Sequence, residues 1–208
     1  MHREEMHMEK LALIVLLDRF ADWEIGFLAP LFHSPDMAEP KWRTMMVSLK
    51  KEPIESMGKL TVLPDSAIDD VPAQFDALIL IGGQSWRTPQ ALDVIPLIDK
   101  ARKLDVPLAG ICDVANFLGW HGFLNEVKHT GNAGGEMATY QGTKYTNKQD
   151  FDAAARAISD KNTVTADGAS SRHFAEHVAR LLALYPDAQI DEWAVVHDIG
   201  EKAYFESK

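Results

Sequence analysis

Cys112 is the only thiol in the chain, and it stands in the string Gly110-Ile111-Cys112-Asp113-Val114-Ala115, where an apolar run passes into a helix candidate. A nucleophile on such a strand-to-helix turn projects out of a sheet, and the backbone amides of the next turn are placed to stabilise an oxyanion. The positive end of the helix also favours thiolate over thiol. A free cysteine packs equally well as a small buried hydrophobe, so position alone leaves structure and chemistry both open. One thiol does exclude an internal disulfide and any thiol-rich zinc module.

Two further groups fall after other strand candidates. Gly82-Gly83 closes the apolar run Ala77–Ile81, and an amide there is a candidate second oxyanion donor facing Cys112, or simply part of a tight turn. Glu24 lies in the first turn of a helix candidate, where the helix dipole suits an acid without any catalytic role. Its alternative role is to reach Cys112 as a protonated carboxyl and donate to the thiolate. Asp113 sits beside the thiol and opposes thiolate formation unless it faces solvent. His129 and His121 are candidate bases if geometry brings them within hydrogen-bond reach. His173 and His177 are four apart on a helix face, but two ligands without a third do not make a metal site. Trp86 and Trp120 are candidate pocket walls or packing residues. Neither GxGxxG nor GxxxxGK occurs, so no cofactor and no metal are expected.

These residues need elements to position them. Leu11–Leu17 is a continuous apolar run of strand length, suited to a strand buried on both faces. Further strands are expected at Trp42–Leu49, Lys59–Leu63, Ala77–Ile81, Val106–Ile111 and Thr163–Ala166. Trp23–Phe32 reads as a helix capped by Asp22 and ended by Pro35 and Pro40. Thr88-Pro89 opens another, with Ala91, Val94, Ile95, Ile98 and Ala101 as its stripe, and a short helix runs from Cys112 to about Trp120. Phe174, Val178, Leu181, Leu182 and Tyr185 mark a closing helix. Gly122–Asn147 carries no readable pattern. The alternation implies an α/β fold with a mostly parallel sheet covered on both faces, whose ligands bind at the carboxyl ends of the strands. Cys112, Gly83, Glu24 and the Ala166–Ser170 turn all fall at that edge.

The 208 residues suit one domain, 11–187, preceded by a disordered leader at 1–10 and followed by a helical appendage at 188–208 that docks through Trp193. With 21 Lys plus Arg against 31 Asp plus Glu, the net charge is −10, which argues against nucleic acid and anionic membranes as partners. The longest apolar run falls short of a membrane span, and no apolar signal segment is present, so a cytoplasmic location is expected.

Taken together, Ala21-Asp22-Trp23-Glu24, Ile81-Gly82-Gly83-Gln84-Ser85-Trp86, Ala109-Gly110-Ile111-Cys112, Gly122-Phe123-Leu124, His129-Thr130-Gly131-Asn132, and Asp160-Lys161-Asn162 leading into Val164-Thr165-Ala166-Asp167-Gly168 resemble the ThiJ/PfpI family of the class I glutamine amidotransferase-like superfamily. The resemblance is closest to a bacterial intracellular-protease- or amidotransferase-like subgroup. It implies a flavodoxin-like three-layer sandwich, a Cys112 nucleophile hydrogen-bonded to Glu24, and oxyanion amides at Gly83 and Asp113. It also implies a homodimer acting on a small-molecule or peptide substrate. Members include intracellular proteases, chaperones with glyoxalase or deglycase activity, and oxidation sensors. Many family enzymes carry a histidine directly after the cysteine or about twenty residues later, where this chain has Asp113 and Asn132. Asn132 cannot serve as a base but can hydrogen-bond a substrate, and His129 lies three positions earlier. Three readings follow: a cysteine hydrolase, amidase or aldehyde-processing enzyme; a redox or stress sensor with an oxidisable Cys112; or a binding domain that has lost activity.

Overall fold

The apolar run at Leu11 becomes β1 (Lys10–Val15), and alternate residues of this strand feed opposite layers of the molecule. The structure is a computed structural model that describes residues 9–33, 42–132 and 134–208. The expected leader at 1–10 lies almost wholly outside the described residues, as do Pro35 and Pro40. After β1 come α1 (Asp22–Gly26), α2 (Leu28–Leu31), β2 (Trp42–Ser48), β3 (Ile54–Glu55), β4 (Thr61–Val62), β5 (Ser66–Ala67) and β6 (Ala77–Leu80). Next are α3 (Ile95–Lys103), β7 (Leu108–Ile111), α4 (Asp113–Trp120), α5 (Gly134–Thr139), β8 (Ala157–Asp160) and β9 (Thr163–Ala166). The chain closes with α6 (Ser171–Leu181), α7 (Asp187–Ile199) and α8 (Glu201–Glu206).

Seven strands form one sheet in the order β5-β2-β1-β6-β7-β9-β8. Every pairing is parallel except β8 with β9, so the sheet is the mostly parallel, doubly covered type that the alternation predicts. Leu11, Leu13 and Val15 pack with Leu97, Ile98, Phe117 and Leu118 on one face. Ala12, Ile14 and Leu16 pack with Leu28, Phe174 and Val178 on the other. β1, β6 and β7 are central and apolar on both faces, which fixes the height at which their carboxyl ends stop.

Several elements differ from the sequence reading for local reasons. The helix expected over Trp23–Phe32 is two short pieces, because Pro30 has no N–H to donate to the carbonyl of Gly26. Asp22 is not the cap. Ala21 holds that position, and the Asp22 carboxylate accepts from Ser56 Oγ at 2.5 Å and Gly58 N at 2.7 Å, tying α1 to the loop between β3 and β4. The short strand expected at Lys59–Leu63 pairs antiparallel with β3 in a separate two-stranded hairpin. The segment after Thr88 begins as a 3-10 turn over Pro89–Val94 before α3 starts. α7 begins at Asp187, one residue before the appendage expected at 188–208. Ile190 and Ala194 are its buried anchors, and half-buried Trp193 meets Phe27 edge-on with ring centroids 6.3 Å apart. None of the described helices is long and apolar enough to cross a membrane.

Candidate active site

Cys112 is the residue between β7 and α4, with φ 63° and ψ −129°. Its amide still donates to Ala166 O at 3.0 Å, so β7 keeps pairing with β9 up to the turn, and Ala115 N then donates to Cys112 O at 3.0 Å to open α4. Holding an L-residue at this positive φ costs about 1–3 kcal/mol, which the ladder on one side and the helix on the other sustain. The strained turn lifts the thiol out of the sheet edge, as the sequence reading requires of a nucleophile.

Glu24 is wholly buried beneath that edge. Its Oε2 accepts from Gly82 N at 2.8 Å, while its Oε1 is buried without a hydrogen-bond partner on the Cys112 side of the site. Asn132 Nδ2 donates to Cys112 Sγ at 3.3 Å, and Asn132 Oδ1 accepts from Gly168 N at 2.8 Å, so the amide orientation is fixed by its second contact. The Asp113 backbone acts on the thiol in the same direction, favouring thiolate. Gly168 must be glycine, since a Cβ there would stand 2.7 Å from Cys112 Sγ. Gly83 has φ 146°, and its neighbours Gly82 O and Gln84 N are engaged by Ala21 N and Arg19 O, which leaves the Gly83 amide out of that bridge.

Residues 10–181 match the DJ-1/PfpI family. The chain belongs to the DJ-1/PfpI family. It is 30 % identical over 192 residues to the uncharacterized protease YdeA of Bacillus subtilis, with 92 % of each chain covered. A DJ-1 superfamily protein from Agrobacterium tumefaciens is 34 % identical with a TM-score of 0.78, covering 90 % of this chain and 99 % of that one. A thiJ/pfpI family protein from Bacillus anthracis is 27 % identical with a TM-score of 0.82, covering 95 % and 93 %.

Within this DJ-1/PfpI chain, burial pushes Glu24 up to about 7, against the opposing effects of the neighbouring Cys112 and of the Gly82 N–H. Burial likewise pushes the Cys112 thiol up to about 12, helped by the Glu24 charge and opposed by the Asn132 and Asp113 donors. The two groups titrate as a pair. The pair releases one proton near 7 and keeps the second to high pH, so at intermediate pH it holds one proton and one negative charge. One fixed donor, Asn132 Nδ2, meets the sulfur, and the Asp113 backbone acts on it in the same sense. One amide, Gly82, aims at the carboxylate.

The side chain of Asp113 turns away from the thiol into a bidentate ion pair. Arg87 Nε donates to Asp113 Oδ2 at 2.6 Å and Nη2 to Oδ1 at 2.8 Å, while Nη1 donates to Glu136 Oε1 at 2.7 Å. Only the amide of Asp113 is left for the sulfur, which removes most of the conflict that an acid beside the nucleophile creates. The guanidinium also lies over the Trp120 ring, 5.6 Å from its centroid.

None of the described histidines lines the cleft at Cys112. His129 is fully buried, with Nδ1 2.8 Å from Val127 O and Nε2 2.7 Å from Tyr145 Oη, so both ring nitrogens are engaged in holding the loop before α5. Burial lowers its pKa. His177 faces Ser159 Oγ at 2.8 Å, and no cluster of metal-binding side chains occurs among the described residues. Trp86 and Trp120 are core residues, the former donating to Ile81 O at 2.7 Å. The wall above Cys112 is Trp23, whose Nε1 donates to Gly168 O at 2.9 Å. Trp23, Asn132, Ala153, Ala155, Asp167 and Gly168 surround the thiol in an open cleft of about 630 Å³. The motif string Ala21-Asp22-Trp23-Glu24 contained Trp23, but the indole gave no signal separating wall from packing. Arg87 gave none either, because its partners Asp113 and Glu136 are 26 and 49 residues away.

Proposed function

We propose that this protein is a cysteine-nucleophile enzyme of the hydrolase or amidase type, working through a covalent adduct on Cys112. The observation that carries the reading is the thiol itself: Cys112 stands at φ 63° on the strand-to-helix turn, accepts from Asn132 Nδ2 at 3.3 Å and opens onto the cleft. In the proposed cycle, Glu24 holds the shared proton while Cys112 Sγ adds to a carbonyl carbon. The amides of Gly83 and Asp113 receive the oxyanion. Collapse of that adduct breaks the bond to the leaving group, which departs with a proton from solvent, and water then hydrolyses the thioester to regenerate the thiol. The match to relatives named as uncharacterized proteases supports the reaction class, not a substrate.

Because the chain has one cysteine, the pH dependence of iodoacetamide labelling reports Cys112 alone. The expected profile has a step near pH 7, where the pair first ionises, and this step disappears in Glu24→Gln. A single step at high pH in both proteins would mean that the charge stays on Glu24 and that the thiol is structural. Covalent turnover is read from p-nitrophenyl acetate, as a burst of p-nitrophenol with one acetyl group on Cys112 by intact mass.

A second reading, a redox sensor, is favoured by the described lining of the cleft, which holds no histidine. Oxidation needs a thiolate but no proton shuttle. The thiolate would displace hydroxide from one peroxide to give sulfenic acid and consume a second peroxide to reach sulfinic acid. Mild peroxide treatment that adds no oxygen to Cys112 rules this reading out.

A further inference from the structure

The cleft over Cys112 has a charge character that its reaction class does not dictate. Its described walls carry one carboxylate, Asp167, and no lysine, arginine or histidine. Asp167 is half-buried, and its oxygens accept from Ala169 N at 2.9 Å and Ser170 Oγ at 2.5 Å. That places it against the N-terminus of α6 and offsets the positive end of the helix without adding net positive charge. The charges that act most on Glu24 are Asp113 and Asp167, both acids. The nearby guanidinium, Arg87, spends its donors on Asp113 and Glu136, one cation against two carboxylates.

The remaining walls fit the same picture. Ala153, Ala155 and Gly168 bring no polar side chain, so nothing on that side matches a carboxylate or phosphate on a substrate. Trp23 is 46 % exposed, with its N–H already committed to Gly168 O. What it offers the cleft is therefore its ring surface, which attracts cations and stacks on planar groups.

Resting on the reading of Cys112 as a nucleophile, we propose that this site selects carbonyl substrates bearing an ammonium or guanidinium group near the reacting carbon, accepts neutral ones, and rejects those carrying a carboxylate or phosphate. The cation sits between the Trp23 ring and the Asp167 carboxylate while the carbonyl carbon meets Cys112 Sγ. The −10 charge of the whole chain acts in the same direction at low salt, so the local preference is the part that survives screening.

The test uses three methanethiosulfonates that differ only in the group they carry: 2-(trimethylammonium)ethyl, 2-hydroxyethyl and 2-sulfonatoethyl. In each, the Cys112 thiolate attacks the sulfenyl sulfur, an S–S bond forms and methanesulfinate leaves. Rates are divided by those of 2-mercaptoethanol with the same reagent and measured in about 0.5 M salt, where charges beyond a few ångströms are screened. The normalised cation-to-anion ratio is expected to be about tenfold or more, and to fall severalfold in Asp167→Asn and in Trp23→Leu. Ala153→Lys, at an exposed position, should bring the ratio to one or below. A wild-type ratio near one, or a ratio unchanged in all three variants, overturns the proposal. Failure of even the neutral reagent to label Cys112 would overturn the nucleophile reading itself, which separates the two outcomes.

Discussion

Replacing Cys112 with glycine should make the protein more stable than replacing it with alanine, the reverse of the usual order. Both variants remove the sulfur and the coupled titration with Glu24, so their difference isolates the backbone. Alanine keeps a Cβ at φ 63° and ψ −129°, whereas glycine adopts that conformation without steric conflict. The strain released is about 1–3 kcal/mol. Against it stand the extra chain entropy of glycine, about 0.5–1 kcal/mol, and the loss of a partly buried carbon, worth less than about 0.8 kcal/mol. The balance favours glycine by about 1 kcal/mol, equivalent to about 2–4 °C in Tm for a domain of this size. Urea unfolding with a common m-value for the two variants measures the difference directly. If Cys112→Gly is equal to or less stable than Cys112→Ala, the turn is not strained and the account of the elbow fails.

Three further outcomes are expected. The raised pKa of Glu24 means that the folded state keeps a proton that the unfolded chain has lost. Its contribution is fully present below about pH 4.5 and is lost as pH rises through about 7, amounting to about 3 kcal/mol. The stability difference between wild type and Glu24→Gln, followed by urea unfolding from pH 4 to 8, should therefore shrink by that order, and a flat difference would show that Glu24 is not held protonated. Arg87→Ala exposes the Asp113 carboxylate to the sulfur, costing about 1 kcal/mol or about fivefold in iodoacetamide rate at neutral pH. The loss should vanish in the Asp113→Asn background, and a loss of equal size there would refute charge masking. Gly168→Ala places a methyl 2.7 Å from Sγ and should slow labelling of Cys112 by more than about tenfold. Gly135→Ala meets nothing within 4 Å and should leave the rate unchanged.

Much of the sheet could be read because its central strands are apolar on both faces, and the strings at Leu11, Ala77 and Val106 say so without ambiguity. The boundary error at Val106 has a simple cause: the β7 ladder begins after Pro107, a residue with no N–H to offer it. β8 escaped notice because an antiparallel edge strand of half-buried residues carries no continuous apolar run. The Gly122–Asn147 stretch is organised by side chains that meet across distance, such as His129 with Tyr145 and Asn147 with the carbonyls of Leu124 and Val127. No periodicity encodes such contacts. In the site, Cys112, Glu24 and Asn132 could be found from turn position and motif, and the structure brings the three together. Whether Asp113 faced the sulfur depended on Arg87, a partner that lies on another strand end.

Arg87 also joins pieces of chain that would otherwise move separately. Through Asp113 it holds the first turn of α4, whose N-terminus presents Cys112, and through Glu136 it holds α5, which follows two residues after Asn132. The thiol and its amide donor are thus braced by one guanidinium lying across them. α5 is short and has few buried residues of its own, Met137 alone among them, so it belongs to the least stable part of the fold. Local unfolding of α5 would loosen the chain beside Asn132, which Gly168 N still holds, while Glu24 stays anchored on Gly82. Hydrogen exchange in α5 and the reactivity of Cys112 are therefore expected to rise together.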